Sequence, residues 1–470
     1  MTFQRGYGRK AVSTCYGAPM IHCYKLNGYN IVLDIASGSI HSVDDVAYDA
    51  ICLYEGEDAD DLAGCIKEKY PDLQLNEIDV LMSDIEELKS NGKLFARDTF
   101  SNVVGLERDK PLKALCMNVS HLCNMTCSYC FAGCGEYGGG GELMSLETGK
   151  RAIDFLIENS GSRKNLDIDF FGGEPLLNWG VVKDIVSYAR GVGQESGKNF
   201  RFTLTTNGLL IDDDVIDFTC REMHNVVLSL DGRPEINDAA RKLLSGEGCY
   251  SHIVPKFKKL VKARGGKGYY IRGTFTRENL DFSNDIIHIA DLGFTELSME
   301  PVIAGPGVDY GLTTDDLPEI YEQYEILAVE MLKRAREGRG FTFYHYKLDL
   351  TGGPCLYKRL AGCGVGTEYL AVTPGGELYP CHQFVGNEAF GAGDVWRGYT
   401  NKNVRDGFFA CNIYSRFECR GCWARLYCSG GCAANAYHAS GDVGGVYKLG
   451  CEMFKKRIEC AIMIKIAGQK

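Results

Sequence analysis

The N-terminal part of the chain, from His22 to about Ala96, changes from alternating apolar positions to a helical period. The run YKLNGYNIVLD carries an Asn-Gly pair between two strand-like segments, which is a turn signal for a hairpin. Three amphipathic helices are predicted after it, over SVDDVAYDAICLYEG, DADDLAGCIKEKY and LNEIDVLMSDIEELKSNG. A unit of short strands and three helices is typical of a winged-helix fold, and the alternative is a cap on the domain that follows.

Strand-like and helix-like patterns alternate between Leu112 and about Val302. The strand-like runs are LKALCMNVS, LDIDFFGG, RFTLTTNG, NVVLSLDG, YYIRGTFTREN and ELSMEPVI. The helix-like runs between them are LETGKRAIDFLIENS, WGVVKDIVSYAR, DDVIDFTCREM, SHIVPKFKKLVKARG and FSNDIIHIADLG. These repeats predict an α/β fold with a parallel sheet and right-handed crossovers. We expect a partial (β/α)6 barrel whose functional residues lie at the C-terminal ends of its strands.

The rest of the sequence has a different character. One longer helix is predicted near Thr314–Gly338, and the Gly- and Cys-rich tail after it is expected to consist mainly of loops held together by metal. The predicted organisation is a flexible extension at 1–20, a winged-helix-like peptide-binding domain at 21–100, a partial barrel at 105–310, a bridging helix at 311–350 and a Cys-rich domain at 351–470.

Charge and cysteine content narrow the functional classes. A net charge of -11 argues against non-specific nucleic-acid binding, which requires a basic surface. The chain has no run of about eighteen apolar residues and no signal-peptide pattern, so neither a membrane partner nor secretion is expected. We therefore expect a cytoplasmic protein, and in that reducing compartment 21 cysteines indicate metal binding rather than disulfide bonds.

The segment CNMTCSYC places Cys123, Cys127 and Cys130 directly after the first predicted barrel strand. Three thiolates can ligate three irons of a [4Fe–4S] cluster and leave the fourth iron open. The alternative is a structural zinc site, which requires a fourth ligand from a neighbouring cysteine. The spacing and the position after a barrel strand closely resemble the cluster motif of the radical S-adenosylmethionine (SAM) superfamily.

This resemblance implies the cofactors and the type of reaction. In that superfamily the open iron binds the amine and carboxylate of SAM, and reductive cleavage gives methionine and a 5′-deoxyadenosyl radical. The motif GGEP after the second strand contains Gly172, Gly173 and Glu174. Paired glycines allow the backbone to approach a ligand closely, and the carboxylate can accept hydrogen bonds from the ligand's ammonium. An ordinary turn is the alternative.

The same resemblance assigns further residues to SAM. Ser229 and Asp231 in SLDG resemble ribose-contacting residues, and Arg241 in NDAAR resembles the arginine that pairs with the SAM carboxylate. A surface salt bridge is the alternative for these three. The other candidates for cofactor contact are Tyr129, Asn207 and Arg272.

The tail carries a second ordered set of cysteines. Cys363 and Cys381 come first. A C-x2-C-x5-C-x3-C motif follows, formed by Cys419, Cys422, Cys428 and Cys432, and Cys451 is the last of the seven. This order resembles the seven-cysteine SPASM domain of peptide-modifying radical enzymes, which holds two auxiliary [4Fe–4S] clusters. Zinc knuckles are the alternative.

The resemblance also implies how these seven cysteines are divided between the two auxiliary clusters. Together with the cluster at Cys123, Cys127 and Cys130, the whole protein would hold three [4Fe–4S] clusters. In the family's interleaved pattern one auxiliary cluster is closed by Cys419, Cys422, Cys428 and Cys451, and the other is held by Cys363, Cys381 and Cys432. The second cluster lacks a fourth ligand, which is either Cys355 or a thiolate of the substrate. Iron would deprotonate that substrate thiol and hold its sulfur beside the substrate radical. Cys411 and Cys460 are predicted to be packing residues.

The N-terminal runs YKLNGYNIVLD and GSIHSVDDVAYDAI resemble the leader-recognition element of maturases for ribosomal peptides. Such elements add a peptide strand to a small sheet. From about residue 21 to the end, the chain resembles maturases of the short Cys-rich SCIFF peptides, with further similarity in GTEYLAVTPGGELYPCHQFVG and GCWARLYCSGGCAANAY. That family makes thioether crosslinks from peptide cysteines to a carbon of a neighbouring residue.

The expected partners are therefore a Cys-rich precursor peptide with a leader and a reductant such as a ferredoxin or flavodoxin. The expected acceptor of the thioether bond is a threonine. Two alternatives remain from the sequence: a sulfatase-maturating type that oxidises one Cys or Ser to formylglycine, and a non-enzymatic iron–sulfur electron carrier or zinc scaffold.

Overall fold

The computed structural model of the protein describes residues 20–54, 59–103, 110–305, 307–350 and 356–468. Most of the predicted extension at 1–20, and also Cys355, lie outside the described residues. The described residues form two compact units. The first unit contains 20–54, 59–103, 350, 356–360 and 412–430, and the second unit contains 110–305, 307–349, 361–411 and 431–468. The domain boundaries stated above stay predictions.

The N-terminal part of the first unit is a small antiparallel sheet followed by three helices. The strands pair in the order β1 (Ile21–Leu26), β2 (Tyr29–Asp34) and β3 (Ile40–Val43). Asn27 and Gly28 both have a positive φ, 49° and 79°, as the predicted two-residue hairpin turn requires. The three predicted helices are confirmed as α1 (Asp45–Leu53), α2 (Ala59–Lys69) and α3 (Leu75–Ser90).

One strand of this sheet does not follow from the sequence pattern. The helical period predicts a helix from Ser42, but β3 pairs with β2 through Val43 and α1 starts two residues later. Asp44 sets that start, because its side chain accepts a hydrogen bond from the backbone N–H of Ala47. Buried Val32, Ile51, Ile66, Ile78 and Ile85 form the core between sheet and helices. The winged-helix assignment stays a prediction.

The second unit is built on a mixed sheet of eleven strands. The strands that follow β3 along the chain are β4 (Ala114–Ser120), β5 (Met125–Cys127), β6 (Asn165–Gly172), β7 (Asn199–Thr206), β8 (Met223–Ser229), β9 (Arg241–Leu243), β10 (Tyr269–Phe275), β11 (Glu296–Pro301), β12 (Thr342–Phe343), β13 (Tyr369–Val372), β14 (Glu377–Tyr379), β15 (Gly393–Asp394) and β16 (Gly398–Tyr399). Of these, β5 and β9 form a separate antiparallel pair.

The order of the large sheet is β12-β11-β10-β8-β7-β6-β4-β13-β14-β15-β16. Neighbours from β12 to β13 are parallel, and the last three pairs are antiparallel. The six predicted barrel strands are confirmed as β4, β6, β7, β8, β10 and β11. Every residue of β4 is buried, as expected for a central parallel strand covered on both faces. Within the described residues the sheet has two open edges, β12 and β16.

Helices connect the parallel strands as predicted. The helices after α3 are α4 (Leu146–Asn159), α5 (Trp179–Ser196), α6 (Asp213–Glu222), α7 (Pro234–Ala240), α8 (Tyr250–Arg264), α9 (Phe282–Asp291), α10 (Leu317–Arg336), α11 (Leu356–Ala361), α12 (Lys402–Ala410), α13 (Phe417–Arg420), α14 (Arg425–Cys428), α15 (Ala433–Ser440) and α16 (Lys448–Ala467). The single longer helix predicted near Thr314–Gly338 is α10. No described helix combines the length and the apolar character that crossing a membrane requires.

The C-terminal tail is more regular than the prediction of a loop-dominated region. Strand β13 extends the parallel sheet beside β4, and β14 to β16 continue it. The 20-residue helix α16 packs against α10. Buried positions such as Met453, Ile458, Cys460 and Ile462 lie on more than one side of α16, so its sequence lacks the one-sided pattern that reveals an amphipathic helix. Cys460 is fully buried there, as expected for a packing residue.

Candidate active site

A cavity of about 250 Å³ lies at the C-terminal ends of the parallel strands in the second unit. Its wall includes residues at or just after the ends of β6, β7, β8, β10 and β11. The residues that the sequence predicts for the site and that line this cavity are Cys123, Cys127, Tyr129, Cys130, Gly172, Gly173, Glu174, Asn207, Ser229, Arg241 and Arg272. Asp231 does not line the cavity and instead bonds to Tyr129. Residues from distant parts of the sequence are thus brought to one place.

The three cysteines of the CNMTCSYC segment lie on a loop that is tied to a distant part of the chain. Strand β5, which ends at Cys127, pairs with β9 so that Cys127 lies opposite Arg241. The backbone N–H of Ser128 donates to the carbonyl of Ala240 at 2.9 Å. This pairing explains how Arg241 reaches the cysteine loop although more than a hundred residues separate them in the sequence.

Burial disfavours the thiolate form of two of these cysteines. Burial raises the pKa of Cys123 to about 11 and that of Cys127 to about 12. Without a metal both side chains are therefore neutral thiols at neutral pH, and a bound cation is needed to stabilise the thiolates. Among the described side chains, no group of three or more His, Cys, Asp or Glu is placed to hold a single metal ion.

The two glycines of GGEP fit closely against the backbone that leads into the cysteine loop. A Cβ at Gly172 would lie 2.2 Å from the carbonyl oxygen of Ser120, and one at Gly173 would lie 2.2 Å from that of Leu122. The backbone N–H groups of Gly173 and Glu174 donate to these same carbonyls, both at 2.8 Å. Glycine is therefore required at both positions because a side chain would collide with the backbone that leads into the cysteine loop. This reason adds to the one suggested by the sequence, that glycines let the backbone come close to a ligand.

Glu174 is a buried carboxylate held by three donors. Its Oε1 accepts from Thr206 Oγ1 at 2.8 Å and from the backbone N–H of Leu176 at 3.1 Å, and its Oε2 accepts from the backbone N–H of Asn207 at 2.8 Å. Burial raises the pKa of Glu174 to about 7, against the lowering effect of these donors and of Arg241. The side chain is therefore fixed in direction and close to its titration point at neutral pH.

Tyr129, Asp231 and Arg241 form one buried group beside the cysteines. The Tyr129 hydroxyl donates to Asp231 Oδ2 at 2.5 Å and accepts from Arg241 Nη1 at 3.0 Å. The other carboxylate oxygen of Asp231 accepts from the backbone N–H of Thr274 at 3.0 Å. Burial raises the pKa of Asp231. Arg241 Nε is buried and has no hydrogen-bond partner among the described residues, so this guanidinium has a donor left for an anionic ligand.

Asn207 and Ser229 complete this side of the cavity. Asn207 Nδ2 donates to Asn124 Oδ1 at 2.8 Å and lies 3.8 Å from the sulfur of Cys123. The Asn207 side chain thereby fixes the start of the cysteine loop. Ser229 is the last residue of β8 and lies opposite Arg272 of β10 in the parallel register.

Two further cavity residues, Glu300 and His382, were not identified from the sequence. Glu300 lies near the end of β11, a position that the strand-end rule could have suggested. His382 follows Cys381 directly and lies between Phe131 and Phe171, with ring-centroid distances of 5.6 and 4.9 Å. Burial lowers the pKa of His382 to about 4, so the imidazole is neutral.

Three of the seven C-terminal cysteines, Cys363, Cys381 and Cys432, are neighbours in the second unit. Burial raises the pKa of Cys381, and the proximity of Cys432 and Cys363 adds to this effect. The backbone N–H of Phe384 donates to the carbonyl of Cys381 at 3.0 Å. The assignment of these three cysteines to one auxiliary cluster stays a prediction.

The other four C-terminal cysteines are divided between the two units. Cys419 lies in α13, Cys428 ends α14 and Cys422 lies between these helices, all in the first unit. Cys451 lies in α16 of the second unit. Their assignment to one cluster stays a prediction, as does the role of Cys355, which lies outside the described residues.

Comparisons with known proteins agree with this site. The profile of the Radical SAM superfamily matches residues 117–281. The radical SAM cyclopropyl synthase TigE of Paramaledivibacter caminithermalis is 21% identical over 388 residues, 74% of this chain and 74% of TigE. A cysteine-type anaerobic sulfatase-maturating enzyme of Clostridium novyi is 24% identical over 370 residues, 74% of this chain and 95% of that enzyme. The structure of anSMEcpe with bound AdoMet and Cp18Cys peptide shares the fold, with a TM-score of 0.63 at 20% identity over 76% of this chain and 99% of that chain.

Proposed function

Because this chain belongs to the radical SAM superfamily, we propose that it is a peptide maturase that forms thioether bonds in a ribosomally made, Cys-rich precursor peptide. Each bond would join a cysteine sulfur to a carbon of an acceptor residue, which we take to be a threonine. The observation that carries the proposal is the convergence of Cys123, Cys127 and Cys130 with the Tyr129–Asp231–Arg241 group on one cavity. Relatives that are named for maturing sulfatases or were solved with a bound peptide support a peptide or protein substrate.

The residues around the cavity fit a [4Fe–4S] cluster and SAM. The three cysteines would hold the cluster, and the unpartnered Nε of Arg241 suits the carboxylate of SAM. Glu174 suits its ammonium and Ser229 suits the ribose, whereas Asp231, which does not line the cavity, would act by holding Tyr129. When bound, the cluster and SAM supply a 5′-deoxyadenosyl radical, which takes a hydrogen atom from a carbon of the peptide. The chain's own residues bind and orient both reactants.

A second set of cysteines would hold an iron site for the cysteine sulfur of the peptide. Cys381 directly precedes His382 and Gln383, which line the cavity, and it neighbours Cys363 and Cys432. An iron site on these three cysteines would thus adjoin the place where the carbon radical forms. Its fourth ligand is either Cys355 or the thiolate of the substrate, and in the second case the iron would deprotonate the thiol for bond formation. A ferredoxin or flavodoxin in the cytoplasm would supply the electron that cleaves SAM. The surplus electron from joining the carbon radical to the thiolate would leave through the auxiliary clusters.

We assign capture of the leader to the small N-terminal sheet. Strand addition requires an edge whose backbone groups are open, and β1 and β3 are the two edges. On β1, His22 stacks on Trp423 with ring centroids 3.7 Å apart and planes within 6°. Strand β3 therefore offers the more open edge, and a leader strand would pair there.

The test of this function is an anaerobic incubation of the reconstituted enzyme with SAM, a reductant and a probe peptide. The probe carries a leader and a core rich in Cys and Thr. We expect 5′-deoxyadenosine together with a peptide that has lost two hydrogen atoms per bond, and tandem mass spectrometry locates the thioether. The variant with Cys123, Cys127 and Cys130 all replaced by Ala is the control and should form neither product. Full activity of that variant would refute the assignment.

The sulfatase-maturating reaction is the second candidate, because the relative from Clostridium novyi aligns over 95% of its own length. It differs in product: formylglycine formation from cysteine removes sulfur from the peptide, whereas a thioether retains it. A peptide product without its sulfur would therefore favour the second candidate. A chain that only carries electrons would give no 5′-deoxyadenosine at all.

A further inference from the structure

Two charged side chains of the cavity have no role in the assignments above. Arg272 lies on β10 and Glu300 on the neighbouring parallel strand β11, two register positions apart, and both line the cavity. Arg272 Nη2 and Glu300 Oε1 are 3.9 Å apart, which is longer than a hydrogen bond. Each side chain therefore keeps hydrogen-bonding capacity toward the cavity.

A chain of buried side chains holds Glu300 in place. His345 Nε2 lies 3.3 Å from Glu300 Oε1, and His345 Nδ1 lies 3.2 Å from Arg457 Nη1. A guanidinium can only donate, so His345 Nδ1 must accept and its hydrogen must be on Nε2, from which it donates to Glu300. Arg457 is itself fixed by its Nε, which donates to the hydroxyl of Tyr324 at 2.8 Å. His345, Arg457 and Tyr324 do not line the cavity.

This network keeps Glu300 ionised. Burial lowers the pKa of His345, and Arg457 adds to that effect, so the imidazole is neutral. Burial alone would raise the pKa of Glu300, but the hydrogen bond from the neutral His345 and the proximity of the Arg272 and Arg457 guanidinium groups lower it. Removing charges from water is costly for a fold, and Arg457 Nη2 even lacks a hydrogen-bond partner among the described residues. A permanently charged acceptor in the cavity wall is thus maintained at a cost in stability.

The chemistry of the pair matches a peptide backbone. Within the described residues the side chain of Arg272 makes no hydrogen bond and is half exposed, so its guanidinium presents free donors. Glu300, one third exposed, presents a free acceptor beside them. The carbonyl group of an extended peptide needs a hydrogen-bond donor, and its N–H group needs an acceptor. Arg272 and Glu300 present one of each on neighbouring strands. The ammonium, carboxylate and ribose of SAM are already assigned to Glu174, Arg241 and Ser229.

We propose that Arg272 and Glu300 form a clamp on the substrate backbone, in which Arg272 donates to a peptide carbonyl and Glu300 accepts a peptide N–H. His345 and Arg457 are positioning residues that act through Glu300. The clamp rests on the proposed function, because it assumes that a peptide enters the cavity. It holds the reacting residue by its main chain, so it tolerates different side chains at that place.

The first test changes the peptide and leaves the enzyme intact. A series of probe peptides, each with one core amide replaced by an ester, removes one backbone N–H at a time. We expect one position at which the Kd, measured by fluorescence anisotropy of labelled peptide, and the KM rise about tenfold. In Glu300→Ala the same ester should cause no further loss, because its partner is already absent.

Enzyme variants separate the clamp from a general loss of structure. Glu300→Ala should raise the KM for the probe peptide about tenfold and leave the KM for SAM unchanged. Arg272→Met should raise the KM for the probe peptide by a similar factor. His345→Gln keeps a donor toward Glu300 and should retain peptide affinity, whereas His345→Leu should lose it. Glu296→Ala, at the other end of β11, is the matched control and should behave as wild type.

The outcomes distinguish the two proposals. If the wild-type enzyme forms 5′-deoxyadenosine but modifies no peptide, the proposed function fails and the clamp falls with it. If the probe is crosslinked but every ester analogue binds like the parent amide, the clamp is wrong and the function stands. A rise in the KM for SAM in Glu300→Ala would likewise overturn the clamp and place Glu300 with the cofactor.

Discussion

At the scale of single residues, Glu174 is the group whose charge matters most for cofactor binding. Its pKa of about 7 in the folded chain exceeds the value near 4.5 of a free glutamate. Between these values the folded state binds more protons than the unfolded state, so this carboxyl makes the fold less stable as the pH rises from about 4.5 to about 7. An ammonium bound to Glu174 would favour the ionised form and lower this pKa.

We predict that SAM binding releases protons from Glu174 at neutral pH. Below about pH 7 the ionised fraction falls about tenfold per pH unit, so the Kd for SAM should rise as the pH is lowered from 8 to 6. Calorimetry of the reconstituted enzyme in two buffers with different ionisation enthalpies measures the proton release. Arg241 and Cys123 are the nearest other charged or titratable groups, and Arg241 keeps its charge throughout this range.

Glu174→Gln serves as the control for this prediction. It keeps the acceptor toward Thr206 and Asn207 but cannot titrate, so its weaker SAM binding should be independent of pH over the same range. Equal heats of SAM binding by the wild-type enzyme in both buffers would show that Glu174 does not change protonation on binding.

The sequence predicts the site residues that stand in short motifs, and it misses the contacts between them. Cys123, Glu174 and Arg241 are each recognisable from nearby residues and do line one cavity. The bond between Tyr129 and Asp231 joins residues 102 positions apart, and it depends on the β5–β9 pairing, which no local pattern reveals. Glu300 was not predicted, because the argument for it depends on Arg272, which lies on a neighbouring strand.

At the scale of elements, a buried ion pair fixes the short helix α14 in the first unit. Asp98 Oδ2 lies 2.8 Å from Arg425 Nη2, and their side chains are only 4% and 5% exposed. The hydroxyl of Tyr414 and the backbone N–H of Phe100 also bond to Asp98. A helix of four residues is not stable alone, so α14, which ends at Cys428, depends on these contacts.

We predict that Asp98→Ala loosens α14 strongly, because it leaves the charge of Arg425 buried without its partner. The local cost is about 3–5 kcal/mol. Hydrogen–deuterium exchange at the amides of residues 419–430 should therefore become at least about a hundredfold faster. The pKa of Asp98 is lowered by Tyr414 and Arg425 in spite of burial, so the wild-type protection should also decrease as the pH falls below the pKa of a free aspartate.

The matched control is Asp167→Ala on β6. Asp167 forms a two-pronged pair with Arg201 at 2.6 and 2.7 Å, but the two side chains are 37% and 43% exposed, far more than those of the Asp98 pair. Loss of such a pair costs about 0–1 kcal/mol, so exchange around Asp167 should change little. Similar effects of both variants would mean that burial of the Asp98 pair has no special importance.

Elements with a one-sided or alternating pattern are predictable here, and elements that are buried all round or very short are not. The helices α4, α6 and α9 follow their predicted runs to within two residues. Helix α16 and strand β13 were missed, since α16 is buried on several sides and β13 has four residues in a Gly-rich region. Their positions depend on packing against α10 and β4, which only the folded chain shows.

At the scale of the whole molecule, the first unit joins two segments with different proposed roles. It contains the N-terminal sheet and also residues 412–430 with Cys419, Cys422 and Cys428. Deletion of residues 21–100 would remove Asp98 and leave Arg425 without its partner. Such a deletion would therefore disturb the cysteine segment as well as leader capture. A single substitution on the edge strand β3 is needed to separate loss of leader capture from disturbance of the cysteine segment.

We predict that Ser42→Pro abolishes leader capture and leaves the chemistry intact. The backbone N–H of Asp34 donates to the carbonyl of Ser39, so in the antiparallel register of β2 and β3 the pair Ile31–Ser42 is a non-hydrogen-bonded pair. The N–H of Ser42 thus points away from β2, and the exposed Ser42 accepts proline without breaking the sheet. Only an added strand would lose its hydrogen bond and meet the proline ring.

Crosslinking of the leader-bearing probe peptide by Ser42→Pro should show a KM at least about tenfold above that of the wild type, because a backbone hydrogen bond is lost and a steric clash is added. Peptide-free formation of 5′-deoxyadenosine and turnover of the core peptide alone should not change, since both depend on the cavity of the second unit. Ser42→Ala keeps the N–H and should match the wild type. If Ser42→Pro captures the leader as well as Ser42→Ala does, the leader strand does not pair with β3.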